Sequence, residues 1–224
     1  MDLNKYINIC FIIDESGSMA SSVNDVKGGF MRMIEEQKNI KDGKCTVSLF
    51  KFDSSVTEVF VGKDVSEINE IEYKPWGSTA MNDGIGTAIN KIGKWLSDMK
   101  EEERPSKNLI VIMTDGEENA SKEFTFSQIR EMIKHQEEKY NWSFVYMGSD
   151  LTSMKEVNNL GIRMSAFSSK ANLGNSYDIV NKVTTSYRCA NSVMEQNVVF
   201  DAFANDCLLE TANYEKERGI KLEK

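Results

Sequence analysis

Three separated stretches of the chain carry oxygen-bearing side chains that can serve one purpose. The run Asp14-Glu15-Ser16-Gly17-Ser18 alternates its donors, so in a tight turn Asp14, Ser16 and Ser18 face a single point and Gly17 relieves the crowding between them. Further on, Pro75-Trp76-Gly77-Ser78-Thr79 offers the Thr79 hydroxyl just ahead of a helical pattern. Thr114-Asp115-Gly116 then adds a second carboxylate at Asp115, directly after an apolar run. Hydroxyls and carboxylates without imidazole or thiolate suit a hard divalent cation such as Mg²⁺, which takes oxygens octahedrally at about 2.0–2.1 Å, and argue against zinc. Mg²⁺ is the expected ion and Mn²⁺ the second choice, with Ca²⁺ also served by oxygen ligands.

For these stretches to meet, the elements before them must end at one edge. Tyr6 to Ile13 and Asn108 to Met113 are short, continuously apolar runs, as strands covered on both faces require. Cys45 to Asp53 and Val56 to Val61 are two more strands, joined by Ser54-Ser55. That link is too short for a crossover and predicts a hairpin. Val23, Val26, Phe30, Met33 and Ile34 recur at helical spacing, and so do Ile85, Ile89, Ile92, Leu96 and Met99. Thr125 with Gln128 predicts a capping box opening a third helix. Ser143 to Met147, a helix near Leu151 to Leu160 stopped by Gly161, and a strand at Arg163 to Phe167 complete the alternation. The reading is a doubly wound α/β fold over residues 1–167, with a mostly parallel sheet and one antiparallel edge strand. Residues 168–224 are expected to form a helical C-terminal extension packed on it or projecting from it, with a stripe through Val193, Asn197, Phe200, Ala204, Cys207, Thr211 and Tyr214. In such folds the loops at the carboxyl ends of the parallel strands collect the functional groups.

Bulk properties narrow the partners. The 224 residues suffice for one substantial core, and the formal net charge of −8 disfavours nucleic-acid phosphates and anionic membrane surfaces. No apolar run approaches the roughly 20 residues of a membrane-spanning helix, and the first run has neither a basic leader nor a cleavage site, so a cytoplasmic protein is expected. Cys10, Cys45, Cys189 and Cys207 lack metal-type spacing and are expected to be reduced and buried.

The D-E-S-G-S run, Thr79 and the T-D-G at Thr114 to Gly116 resemble the metal-ion-dependent adhesion site of von Willebrand factor A domains. The similarity extends over Tyr6 to Phe167 through Gly28-Gly29-Phe30, Gly77-Ser78-Thr79-Ala80, Asp83-Gly84-Ile85 and Gly116-Glu117-Glu118-Asn119-Ala120-Ser121, which resemble intracellular bacterial and phage members in particular. The resemblance implies a Rossmann-like fold and a metal touched directly by Ser16, Ser18 and Thr79, with Asp14 and Asp115 acting largely through bound waters. Neutral hydroxyls would leave much of the cation's charge uncompensated, so that an Asp or Glu from a partner protein could complete its shell. The oligomeric state is open.

Other residues are read more plainly. Asp83 is expected to orient the Thr79 loop or cap nearby amides rather than touch the metal, and Glu117 and Glu118 to lie in a solvated acidic loop. Ser149 and Asp150 suit the rim of the site or a helix cap equally. Gly84-Ile85-Gly86 lacks the last glycine of a dinucleotide fingerprint, and no phosphate-loop motif occurs. The single histidine, His135, has no nucleophile motif around it and is expected to face solvent; the methionines fill core. A non-enzymatic protein-binding module follows. The alternatives are a metal-assisted hydrolase or phosphotransferase, and a structural assembly subunit working through its C-terminal helix.

Overall fold

The computed structural model describes residues 5–148, 157, 159–162, 164–167, 173–192, 194–199 and 201–203. Six strands form one sheet: β1 (Tyr6–Asp14), β2 (Lys44–Phe52), β3 (Val56–Asp64), β4 (Lys107–Thr114), β5 (Trp142–Gly148) and β6 (Met164–Phe167), in the order β3-β2-β1-β4-β5-β6. Among the described residues only β3 runs antiparallel, paired with β2 through the short turn predicted at Ser54-Ser55. Among the described residues the helices are α1 (Val23–Asn39), α2 (Met81–Ser97), α3 (Phe126–Tyr140) and α4 (Leu173–Cys189), and residues 194–199 and 201–203 are helical in the C-terminal part. This is the expected doubly wound α/β fold with one antiparallel edge strand.

All nine residues of β1 are buried because both faces of the sheet are covered. Strand pleating divides them: Ile7, Ile9, Phe11 and Ile13 enter a core with Val26, Phe30 and Ile34 of α1 and Tyr177, Val180 and Val183 of α4. Cys10 and Ile12 enter a second core with Ile85, Ala88 and Ile89 of α2 and Ile129 and Ile133 of α3. Each such aliphatic side chain contributes about 1.5–3 kcal/mol on burial. Phe11 meets Phe30 edge to face, with ring centroids 5.0 Å apart. A β-carbon on Gly29 would lie 2.4 Å from the Tyr177 ring, so the close approach of α4 to α1 depends on that glycine.

The local signals act as predicted. Thr125 and Gln128 form both halves of the capping box on α3, and Gly161 has the left-handed φ of +74° that suits a helix stop. Most of the expected helix near Leu151 to Leu160 lies outside the described residues, as do Ser149, Asp150, Cys207 and most of the tail stripe. Asn197, the one member of that stripe described, is exposed. Gln196 and Phe203 are buried there. Cys10 and Cys45 are buried thiols, but Cys189 is exposed at the end of α4, where the helix terminates at the surface.

At the amino-terminal edge of the sheet two buried cations hold the helices. The Lys107 ammonium donates to the carbonyls of Tyr187, Arg188 and Ala190 at 3.1, 2.7 and 2.5 Å, capping α4; burial pushes its pKa down. Arg188 donates to the carbonyls of Gln37, Ile40 and Gly43, capping α1. Among the described residues no helix is long and apolar enough to cross a membrane.

Candidate metal site

At the opposite edge β1, β2, β4 and β5 end in register, with Asp14 beside Phe52 and Thr114 beside Gly148. Asp14 Oδ1 accepts the Ser16 amide at 2.7 Å and so turns the chain into a 3₁₀ segment, Gly17–Ser22. The turn brings the Ser16 and Ser18 hydroxyls to 3.0 Å from each other. The Thr114 hydroxyl donates to Asp14 Oδ2 at 2.6 Å, and the Ser18 hydroxyl to Asp115 Oδ1 at 2.5 Å, so two strand ends are joined through side chains. Thr79 arrives from the loop before α2. A β-carbon on Gly116 would lie 3.1 Å from Thr79 Oγ1, 3.4 Å from Ser18 Oγ and 3.7 Å from Asp14 Oδ2. The structure thus brings Asp14, Ser16, Ser18, Thr79 and Asp115 together around the open face of Gly116.

This cradle suits a hard cation. Its donors are all oxygen, and a single methyl group would fill it. Among the described residues no three His, Cys, Asp or Glu side chains gather in metal-holding geometry, so an ion here would draw on hydroxyls besides the two carboxylates. Asp14 is fully buried, and burial raises its carboxyl to about 6. Hydrogen bonds from Thr114 and Ser16 oppose that rise, and the Asp115 charge adds to it. A cation at the cradle would oppose that shift by stabilising the ionised form. Ser16, Thr79 and Asp115 are also buried, whereas Ser18 is exposed and marks the side open to solvent.

The loops clasp one another. Glu118 does not lie free in a solvated loop as the sequence reading had it. Its carboxylate accepts the amides of Ala120 and Ser121, the Ser121 hydroxyl and the Asn82 amide at 2.7–2.9 Å. It thereby satisfies an otherwise orphaned donor at the start of α2, where the helix dipole favours an anion. Glu117 is exposed, as expected. Asp83 caps amides: it accepts those of Lys122, Glu123 and Phe124 at 2.8–2.9 Å and stays out of the cradle. Asn119 Oδ1 accepts the Thr79 amide at 2.9 Å, and the Thr79 carbonyl accepts the amides of Asn119 and Ala120. On the other side Tyr73 donates its hydroxyl to the Asp14 carbonyl at 2.5 Å. Glu15 turns away to bind Lys51 and the Lys74 amide.

Sequence reasoning missed the parts played by Thr114, Asn119, Tyr73 and Glu118. Thr114 had a signal, since it adjoins Asp115 and is a hydroxyl at a strand end. The acid-x-x-Ser spacing of Glu118 and Ser121 marks a local cap, but its contact with Asn82 is 36 residues away and has no local signature. His135 is exposed on α3, edge-on to Tyr140 and apart from the cradle.

The profile of the von Willebrand factor type A domain matches residues 8–182. No curated protein matches in sequence. The fold is similar to the von Willebrand factor domain of the type V pili tip protein Mfa5 from Porphyromonas gingivalis, with a TM-score of 0.61 at 11% identity over 86% of this chain and 99% of that one. It is similar to proximal thread matrix protein 1 from the mussel byssus (TM-score 0.53, 16% identity, 81% of this chain), of which it spans about half the length, 47%. The TRAP protein of Plasmodium vivax, solved with manganese loaded, gives a TM-score of 0.50 at 18% identity over 77% of this chain and 72% of that one.

Proposed function

The chain belongs to the von Willebrand factor type A family, and from that premise we propose that it is a protein-binding module that captures an acidic side chain of its partner through a divalent metal, Mg²⁺ foremost. The observation that carries the reading is the gathering of three hydroxyls and two carboxylates from three loops around Gly116, with one side open. Ser16, Ser18 and Thr79 would hold the ion, with Asp14 and Asp115 behind them. The bound ion supplies an electrophilic point that a carboxylate oxygen can occupy. The manganese in the Plasmodium relative's structure supports a divalent ion in this family.

Binding is favoured over hydrolysis by the state of Asp14. Both of its oxygens already accept hydrogen bonds, from Ser16 and Thr114, and Asp115, the other carboxylate that could activate water, is engaged by the Ser18 hydroxyl. Among the described residues Cys10, Cys45 and Cys189 are free thiols, which suits a reducing cytoplasm, in keeping with the resemblance to intracellular bacterial and phage members. One observation favours a second reading, assembly through the C-terminal helix: Met194 and Val198 lie one turn apart and are 78% and 63% exposed.

Calorimetry with Mg²⁺ and pull-down from the native cell with Mg²⁺ or EDTA test the proposal. Wild type takes up the ion and retains a partner only with Mg²⁺, and the Ser16→Ala, Ser18→Ala double variant does neither. Capture lost with Met194→Ser, Val198→Ser but kept in the cradle variant would transfer the function to the C-terminal helix. Mg²⁺-dependent turnover abolished by Asp14→Ala would replace binding with catalysis.

A further inference from the structure

Beside the cradle the chain leaves a tryptophan in water. Trp76 is 80% exposed, whereas Trp142 is buried and Trp95 packs against the core. Its exposure is not slack in the loop. The Trp76 amide donates to the Glu15 carbonyl at 2.8 Å, the Gly17 amide to the Gly77 carbonyl at 3.1 Å, the Ser78 amide to Ser54 Oγ at 3.0 Å and the Ala80 amide to the Asp53 carbonyl at 2.7 Å. Gly77 has a φ of +78°, and a β-carbon there would lie 2.7 Å from Ser54 Oγ. The backbone that presents the indole is therefore fixed, and fixed to Gly17, which sits between Ser16 and Ser18. An aromatic held this way loses little entropy when a partner covers it, and tryptophan is prominent among residues that dominate interfaces.

The surroundings indicate what would cover it. The carboxylate of Asp53, whose β-carbon lies 3.7 Å from where Gly77 would carry one, accepts the amide and hydroxyl of Ser55, and among the described residues no cation pairs with it. Glu117 stands exposed on the loop across the cradle, and the chain as a whole carries a net charge of −8. An indole face and nearby acids both attract a cation, and arginine stacks on tryptophan best. We infer that Trp76 is a specificity-determining contact, selecting a partner segment in which the metal-seeking Asp or Glu is flanked by an arginine or lysine that lies on the indole. This rests on the metal-dependent reading above and adds the identity of the flanking residue.

The test uses the full chain labelled with 5-fluorotryptophan and ¹⁵N in Mg²⁺, with the Trp76 resonance assigned from Trp76→Phe. The probes are three capped peptides, Gly-Arg-Asp-Arg-Gly, Gly-Leu-Asp-Leu-Gly and Gly-Arg-Asn-Arg-Gly. The Arg-Asp-Arg probe is expected to shift both the Trp76 fluorine and the Gly116 amide, with roughly three- to tenfold tighter binding than Leu-Asp-Leu. EDTA abolishes the shifts, and the Asn probe causes none. Trp76→Ala brings Arg-Asp-Arg down to the Leu-Asp-Leu affinity read at Gly116, and Asp53→Asn narrows the preference. Mg²⁺- and Asp-dependent shifts at Gly116 with Trp76 unmoved, or equal affinity for the arginine and leucine probes, would overturn the role of Trp76 and leave the metal reading standing. Shifts at Gly116 that ignore Mg²⁺ or the Asp would remove the metal reading and this inference together.

Discussion

The two edges of the sheet bury charge in opposite ways. At the amino-terminal edge, Lys107 and Arg188 are surrounded by backbone carbonyls whose direction and number match their donors, and the result is a closed structural joint. At the carboxyl-terminal edge, two carboxylates lie in one cradle, where Asp14 accepts from the Ser16 amide and the Thr114 hydroxyl and Asp115 from the Ser18 hydroxyl, and burial together with the neighbouring charge raises Asp14. Buried charge that is answered from all sides holds a fold together. Charge of one sign gathered beside an open face makes the fold wait for something from outside.

The contrast can be broken most severely at the closed edge. Lys107→Met leaves three carbonyls at the end of α4 without their donor and is expected to cost about 3–5 kcal/mol of stability by chemical denaturation, while Mg²⁺ affinity of the folded fraction stays unchanged. A loss of ion binding equal to that of the cradle variants would show that the two edges are not independent.

Acidity probes the open edge next. A carboxyl raised from its ordinary 3.8 to about 6 on folding binds its proton more tightly in the folded state. Its stabilising contribution is thus complete below about pH 4 and is lost as pH rises through about 6. Metal-free protein should therefore gain up to about 3 kcal/mol from this group as pH falls from 7 to 4. Asp14→Asn should flatten that component, and saturating Mg²⁺ should suppress it, as followed by denaturation at each pH.

Smaller effects refine the picture. Glu118→Ala removes the acceptor shared by Ala120, Ser121 and Asn82 and should cost about 2 kcal/mol in stability, with weaker Mg²⁺ uptake because the Thr79 loop loosens. Gly116→Ala should leave the melting temperature within a few degrees, since φ at Gly116 is not left-handed, yet weaken Mg²⁺ by about tenfold in calorimetry, or about 1.4 kcal/mol, as its methyl enters the cradle. Unchanged affinity in that variant would mean that the ion, if bound, sits elsewhere.

Much of this is legible in the sequence because it is written locally. The apolar runs at β1 and β4, the two serines between strands β2 and β3, and the Thr125–Gln128 pair each specify an element within a few residues. The five cradle residues were legible because strand ends in a parallel sheet share an edge. What escaped depends on distant partners. Glu118 reads as one more solvated acid until α2 is placed beside it. Asn197 is exposed while its neighbour Gln196 is buried, a difference that depends on the facing surface and not on the helical period alone. Helix α4, with Thr184, Thr185 and Ser186 in its last turns, has a weak apolar rhythm and is held by Lys107 from another part of the chain.

The hydrogen bond from Thr114 to Asp14 joins residues one hundred positions apart, and it exists only when β1 lies alongside β4. A nascent or refolding chain therefore has no competent cradle until the middle ladder of the sheet has zipped. Ion uptake during refolding, followed by a fluorescent chelator releasing its Mg²⁺, would act as a stopwatch for that central pairing and would lag behind the appearance of helical signal from α1 and α2.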